Sequence, residues 1–225
     1  MASGGHDLWV FAYGSLMWRP GFVYAEAQQA RLVGYRLCFC IYSVYHRGSH
    51  ERPGLVLGLD RGGTCEGIAY RVPAARAEET TRYLRAREQV YGVYRETHAP
   101  VELMARAGEV LALTYIVERA HPNYAGRLPL AVQARIIHGS RGRSGANLDY
   151  LISTLRHLAE VGIRERELER ILAMIGPHAA RLTGREGQSP HTAAAVRLVG
   201  REKPIRYGRL AKGDRRFLYR QRLGV

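Results

Sequence analysis

An α+β fold, with helices packed on a largely antiparallel sheet or barrel, is what this 225-residue chain predicts. Two observations carry that expectation. Strand-like segments fill the chain from Leu8 to Glu118, with a single helix among them. From about residue 129 the pattern changes to helical periodicity. The 46% hydrophobic content suits one domain, or one domain with an appendage, and can bury a core without staples.

The elements follow in order. Leu8-Trp9-Val10-Phe11-Ala12-Tyr13 reads as a buried strand that runs straight into Gly14-Ser15-Leu16. Residues 17–30 are a connection containing Arg19-Pro20-Gly21, and residues 31–45 are rich in strand formers. His46 to Gly54 is a polar loop. Leu55 to Asp60 is a strand, Arg61-Gly62-Gly63 a hairpin turn, and Thr64 to Val72 the returning strand. A helix carries Ala77 to Gln89. Two strands, Tyr94 to Leu103 and Glu109 to Glu118, come next. Leu130 to Ile137 is helical. Ser144-Gly145-Ala146-Asn147 opens a longer helix whose apolar stripe is Leu148, Leu151, Ile152, Leu155 and Leu158. Gly162 ends it, Arg164 to Ile175 makes one more helix, and Gly176-Pro177 is the natural end of the domain. The division expected is a domain over 1–180 and a basic, poorly ordered tail over 181–225.

Charge and cysteine content limit the function. The net charge is +14, from 34 basic and 20 acidic residues. Residues 181–225 hold 12 of the basic and 3 of the acidic residues, so +9 lies in the tail and +5 in the rest. A solvated tail is the plain reading, and a basic nucleic-acid-binding protein is the alternative from another class. Tyr207, Phe217 and Tyr219 interleave its basic residues, but no recognised nucleic-acid module is present. Three cysteines do not suggest a disulfide framework. The N-terminus does not read as a signal peptide, no run is long enough to span a membrane, and the odd cysteine count fits a reducing compartment, so a cytoplasmic location is expected. Cys38 and Cys40 share a strand face without a matching zinc pair and read as buried and inert, as does Cys65. No GxSxG, P-loop or GxGxxG in context occurs.

Two features point to chemistry. On the helix, Ala77, Thr80, Thr81, Leu84, Glu88 and Tyr91 share a face, so Glu88 projects from the stripe expected to meet the core. Paired with Arg85 or Arg87 it is a structural ion pair. Buried without a partner it has a raised pKa and suits acid/base work. The strand-to-glycine turn at Tyr13-Gly14-Ser15-Leu16 exposes backbone N–H groups that can cradle an anion. Together they outline an acid/base enzyme acting on a small acidic substrate.

Six segments in order carry a resemblance: Trp9 to Trp18; His46-Arg47-Gly48 with Arg52 to Leu57; Cys65 to Pro73; Tyr83 to Glu88; Pro122 to Gly126; and Ser144 to Leu151. On these the chain resembles the ChaC family of γ-glutamylcyclotransferases, the glutathione-specific branch, over about residues 8–175. The resemblance implies a mixed β-barrel with flanking helices, no cofactor and no metal. It also implies release of 5-oxoproline and Cys-Gly from glutathione, with no membrane partner. A nucleic acid, if contacted at all, falls to the tail. By resemblance Glu88 is the catalytic residue, Tyr13, Gly14, Ser15 and Leu16 bind the γ-glutamyl group, and Tyr124 matches the family's tyrosine. The turn's N–H groups hold either the α-carboxylate or a developing oxyanion. Arg47 or Arg52 meets the glycine carboxylate, on charge and position. A cyclotransferase for other γ-glutamyl amines or peptides is the sister reading. Ala12 departs from the glycine common before the tyrosine.

Overall fold

The computed structural model describes residues 6–89, 91–105 and 108–182. Its centre is a closed barrel of five strands in the order β1-β3-β2-β4-β5. The strands are β1 (Leu8–Ala12), β2 (Glu26–Ser43), β3 (Gly54–Val72), β4 (Tyr94–Leu103) and β5 (Glu109–Val117). β1 runs antiparallel to β3 and parallel to β5, pairing Val10 with Tyr70 on one side and with Leu113 on the other. The barrel is therefore mixed. Val10, Phe11, Leu32, Leu55, Leu59 and Leu113 fill the core.

β2 and β3 form a long antiparallel hairpin from Glu26↔Arg71 to Ser43↔Gly54. The turn expected at Arg61-Gly62-Gly63 does not occur. β3 continues through it, with β2 paired on both sides, Tyr35↔Arg61 and Val33↔Thr64, and the register shifts between them. Gly62 and Gly63, at φ +92° and +84°, meet the local demand of a two-residue turn. However, the reversal is already made by residues 44–53, and β2 offers an unbroken partner. The glycines form a bulge in one long strand instead.

β4 and β5 are a regular hairpin, whereas β2 meets β4 only at Ala30↔Leu103 and Arg31↔Glu102. Towards the Tyr94 end the two strands part. The freed edge of β2 is taken up by residues 121–125: the Tyr42 N–H donates to the Asn123 carbonyl and the Ala125 N–H to that of Cys40, both at 2.8 Å. This parted end of the barrel holds the site described below.

Among the described residues four helices flank the barrel: α1 (Ala74–Glu88), α2 (Leu130–Gly139), α3 (Asn147–Glu160) and α4 (Arg166–Leu182). Thr80 and Leu84 anchor α1. α3 and α4 bury Leu151, Leu158, Leu168, Ile171 and Ile175. A short pair of strands, β6 (Arg141–Gly142) and β7 (Gly145–Ala146), precedes α3. Asn147, at the start of α3, is fully buried and ties the helix to β3. Its Oδ1 accepts from the Leu55 N–H at 2.6 Å and its Nδ2 donates to the Leu55 carbonyl at 2.7 Å. α4 does not stop at Gly176-Pro177 but continues to Leu182. A proline costs one i→i−4 bond, which a helix anchored by Leu168, Ile171 and Ile175 can forgo. The tail expected over 181–225 lies, beyond Leu182, outside the described residues.

Candidate active site

β1 ends at Ala12, Tyr13 follows it, and Gly14–Met17 then make one 3₁₀ turn. Gly14 has φ +54°, and a side chain there would meet no atom within 4 Å. The glycine is therefore set by backbone angle, not by crowding, and the space over the turn is open. The first N–H groups of such a turn have no partner within it. Four contacts fix the turn. The Tyr13 hydroxyl donates to the Tyr115 carbonyl at 2.7 Å, and the Tyr70 hydroxyl to the Met17 carbonyl at 2.6 Å. Trp18 stacks on His157 of α3, ring centroids 4.3 Å apart. Arg87 of α1 donates to Ser15 Oγ at 3.0 Å.

Glu88 is the last residue of α1, one turn beyond buried Leu84. Its side chain is only 17% exposed, and its Oε1 lies 3.1 Å from Arg87 Nε. The two alternatives open from the sequence therefore coexist: the carboxylate is both buried and paired. Burial pushes the Glu88 carboxyl above its usual range, and the Arg87 guanidinium opposes the rise. Because the same guanidinium reaches Ser15, Glu88 and the open turn lie within one side chain's span.

Around the carboxylate stands a set of phenols. Tyr13, Tyr94, Tyr115 and Tyr150 all feel its charge, and burial raises each of their pKa values first of all. The Tyr94 hydroxyl donates to the Leu57 carbonyl at 2.8 Å. β4 and β3 are not neighbours in the barrel, so this side chain crosses it. The chamber is polar in function yet carries no competing charge among these four, because neutral phenols line it.

Arg47 sits in the loop after β2. Its Nη1 donates to the Ser144 carbonyl at 2.7 Å and to that of Ala146 at 3.3 Å, and its guanidinium lies 5.2 Å from the centre of the Tyr150 ring. Through Tyr150 it borders the Glu88 group. Beside it His46 Nδ1 contacts Ser144 Oγ at 2.9 Å, and Tyr91, just past α1, packs edge-on against the His46 ring. Arg52 is exposed, in the turn where its N–H donates to Ser49 Oγ at 3.1 Å.

Tyr124 lies in a second cluster. Its hydroxyl donates to Oδ2 of buried Asp60 at 3.0 Å, and Arg119 Nε donates to Oδ1 at 2.7 Å. Burial raises the Asp60 carboxyl, but Arg119, Tyr124 and the Arg61 N–H outweigh it, and the pKa is lowered. Tyr124 and Tyr94 pack against one apolar group, Cys38, Cys40, Ile41, Val93 and Val117. Thus Tyr13, Gly14, Ser15, Leu16 and Glu88 come together, Arg47 borders them, and Tyr124 stands behind the Cys40 side of the chamber. All three cysteines are free and buried. Among the described residues no group of three His, Cys, Asp or Glu could hold a metal.

Sequence reasoning did not single out Arg87, Tyr94 or Tyr150 as members of the site. Tyr150 falls in the Ser144–Leu151 segment and Arg87 adjoins Glu88, so both were within reach. Tyr94 carries no local mark, because its role depends on crossing the barrel.

Residues 8–178 match the family model described as ChaC-like protein. This chain belongs to the ChaC-like family. It is 33% identical over 168 residues to the glutathione-specific gamma-glutamylcyclotransferase of Escherichia coli K12, covering 75% of this chain and 72% of that protein. It is 34% identical over 203 residues to glutathione-specific gamma-glutamylcyclotransferase 1 of the mouse, covering 89% and 81%. Residues 1–180 are 80% of this chain (180 of 225), so the mouse match extends into the tail. The fold is also that of a crystal structure of a yeast gamma-glutamyl cyclotransferase specific to glutathione. There the TM-score is 0.67 at 22% identity, covering 77% of this chain and 97% of the other.

Proposed function

We propose that this protein is a γ-glutamylcyclotransferase, a lyase that cleaves glutathione to 5-oxoproline and Cys-Gly. The observation that carries the reading is the buried carboxylate of Glu88, tied by one guanidinium to Ser15 of an open, glycine-started turn. The E. coli and mouse relatives, both named glutathione-specific gamma-glutamylcyclotransferases, support the substrate.

The chemistry follows from what glutathione lacks. Its α-amine is mostly protonated at neutral pH and cannot attack. Glu88 accepts that proton, and a carboxyl whose pKa is raised towards neutrality is a better match for the task. The freed amine attacks the γ-carbonyl carbon of the same molecule and forms the ring C–N bond. Negative charge gathers on the carbonyl oxygen, and the N–H groups at Gly14, Ser15 and Leu16 are suited to receive it or the α-carboxylate. Collapse breaks the C–N bond to cysteine as the proton on Glu88 passes to the departing Cys-Gly amine. The freed carboxylate then takes the second proton from the ring nitrogen, and that proton leaves with Cys-Gly as its ammonium. Attack is intramolecular, so the site's main task is to hold the γ-glutamyl chain folded back. Tyr13 closes the floor of that site. Arg47, at the rim, is assigned to the distal glycine carboxylate. Tyr124 contributes by holding Asp60 and residues 119–125 against β2, since its hydroxyl is already engaged.

Incubating the protein with glutathione tests this. Equimolar 5-oxoproline and Cys-Gly are expected. Glutathione left intact, with other γ-glutamyl amines or dipeptides consumed, would assign the sister activity instead.

A further inference from the structure

Arg87 is built into the site far more completely than an arginine at a helix end needs to be. Its Nε lies 3.1 Å from Glu88 Oε1. Its Nη2 donates to Ser15 Oγ at 3.0 Å. Its Nη1 donates to the Arg19 carbonyl at 2.6 Å and to the Tyr83 hydroxyl at 3.0 Å. A guanidinium offers five N–H donors in a rigid plane. These contacts engage all three of its nitrogens, on both sides of the chamber: α1 on one, and the 3₁₀ turn with the residues after it on the other. The side chain is 21% exposed. So committed a fork is poorly placed to bind a substrate anion, and its geometry is that of a bracket.

We propose that Arg87 is a positioning residue that holds the Glu88 carboxylate and the Gly14–Met17 turn at a fixed separation, and so sets where the base stands over the bound γ-glutamyl group. This rests on the function proposed above. A lysine cannot replace it, because a single ammonium cannot reach Glu88, Ser15 and the Arg19 carbonyl at once. The bracket also has an electrostatic consequence. The groups facing Glu88 are the phenols of Tyr13 after β1, Tyr94 of β4, Tyr115 of β5 and Tyr150 of α3, with Arg85 and Glu96 acting on Tyr115 beyond them. The cation that opposes burial at Glu88 is Arg87. Without it, the carboxyl stays protonated to higher pH and is lost as a base.

The test compares wild type, Arg87→Gln and Arg87→Lys on glutathione across pH, with folding checked by thermal melts. In R87Q, kcat is expected to fall about 10²-fold, the cost of a misplaced group, with KM changed less. The acid limb of its kcat profile is expected to move up by about a unit or more, as loss of an adjacent opposite charge requires. R87K is expected to return the limb towards the wild-type position while kcat stays low, which separates charge from geometry. A folded R87Q with an unmoved acid limb, or R87K with full kcat, would overturn the proposal. If R87Q does not fold, R87K alone decides on kcat. Titration of the Glu88 carboxyl by carbon NMR in wild type and R87K supplies a readout independent of turnover. If wild type makes no 5-oxoproline, the function proposed above has failed. The bracket is then judged by that titration and by a lower melting temperature in the variants, and unchanged values in both would overturn it as well.

Discussion

A buried carboxylate that ionises destabilises the fold that holds it. The Glu88 carboxyl has a raised pKa in the folded protein, chiefly from burial. Its contribution to stability is therefore fully present below the unfolded value and is lost as pH rises through the folded one. At neutral pH the ionised form is the strained one. Glu88→Gln keeps the shape and an acceptor for Arg87 but cannot carry the proton. Turnover of glutathione is expected to fall by roughly 10²–10⁴, the usual worth of such a group. The melting temperature at neutral pH is expected to be no lower than that of wild type. Near wild-type turnover would remove Glu88 from the mechanism, and a large drop in melting temperature would show that its charge stabilises the fold. Glu88 was legible in the sequence because helical spacing from Thr80 and Leu84 is a local property. Its ion pair with Arg87 was legible only as one of two arginine choices, since neighbouring side chains leave a helix in different directions and the 3₁₀ turn decides which one folds back.

At the scale of elements, the strands and helices with strong periodicity stand where the sequence put them. β4 (Tyr94–Leu103) and α2 (Leu130–Gly139) do so to within two residues. The miss at Arg61-Gly62-Gly63 has a physical cause: positive-φ glycines serve hairpin turns and bulges alike, and only the partner strand distinguishes them. α4 makes a different point. Just before it, Glu165 is pushed up to about 7, by burial first and then by the nearby charges of Glu66 and Glu167. Since the folded pKa lies above the unfolded one, this group costs stability as pH rises from about 4.5 to about 7. Glu165→Gln is expected to melt higher than wild type at pH 8, and at nearly the same temperature at about pH 3.5, below both the folded and the unfolded values, where Glu165 is protonated in either state. Thermal melts at the two pH values check this, and an unchanged difference between them would mean that Glu165 does not titrate as described.

For the molecule as a whole, the site exists because the barrel is not evenly paired. β2 and β4 pair only at Ala30 and Arg31, and their parting admits Glu88, Tyr94 and the turn after β1 to a common space. No single segment of the sequence encodes that gap, which is why Tyr94 and the Asp60–Arg119–Tyr124 cluster went unread. Among the described residues no helix is long and apolar enough to cross a membrane. We propose that the domain ending near residue 180 carries the activity. A chain stopped after Leu182 is expected to stay soluble and to turn over glutathione, and loss of either would place part of the basic tail in the working structure. The central claim, however, is that the α-amine of the substrate and not water attacks the γ-carbonyl. Turnover of glutathione in ¹⁸O-water with mass analysis of the γ-glutamyl product tests it most directly. The expected product is 5-oxoproline without label. Glutamate carrying one ¹⁸O in its side-chain carboxylate would contradict the account.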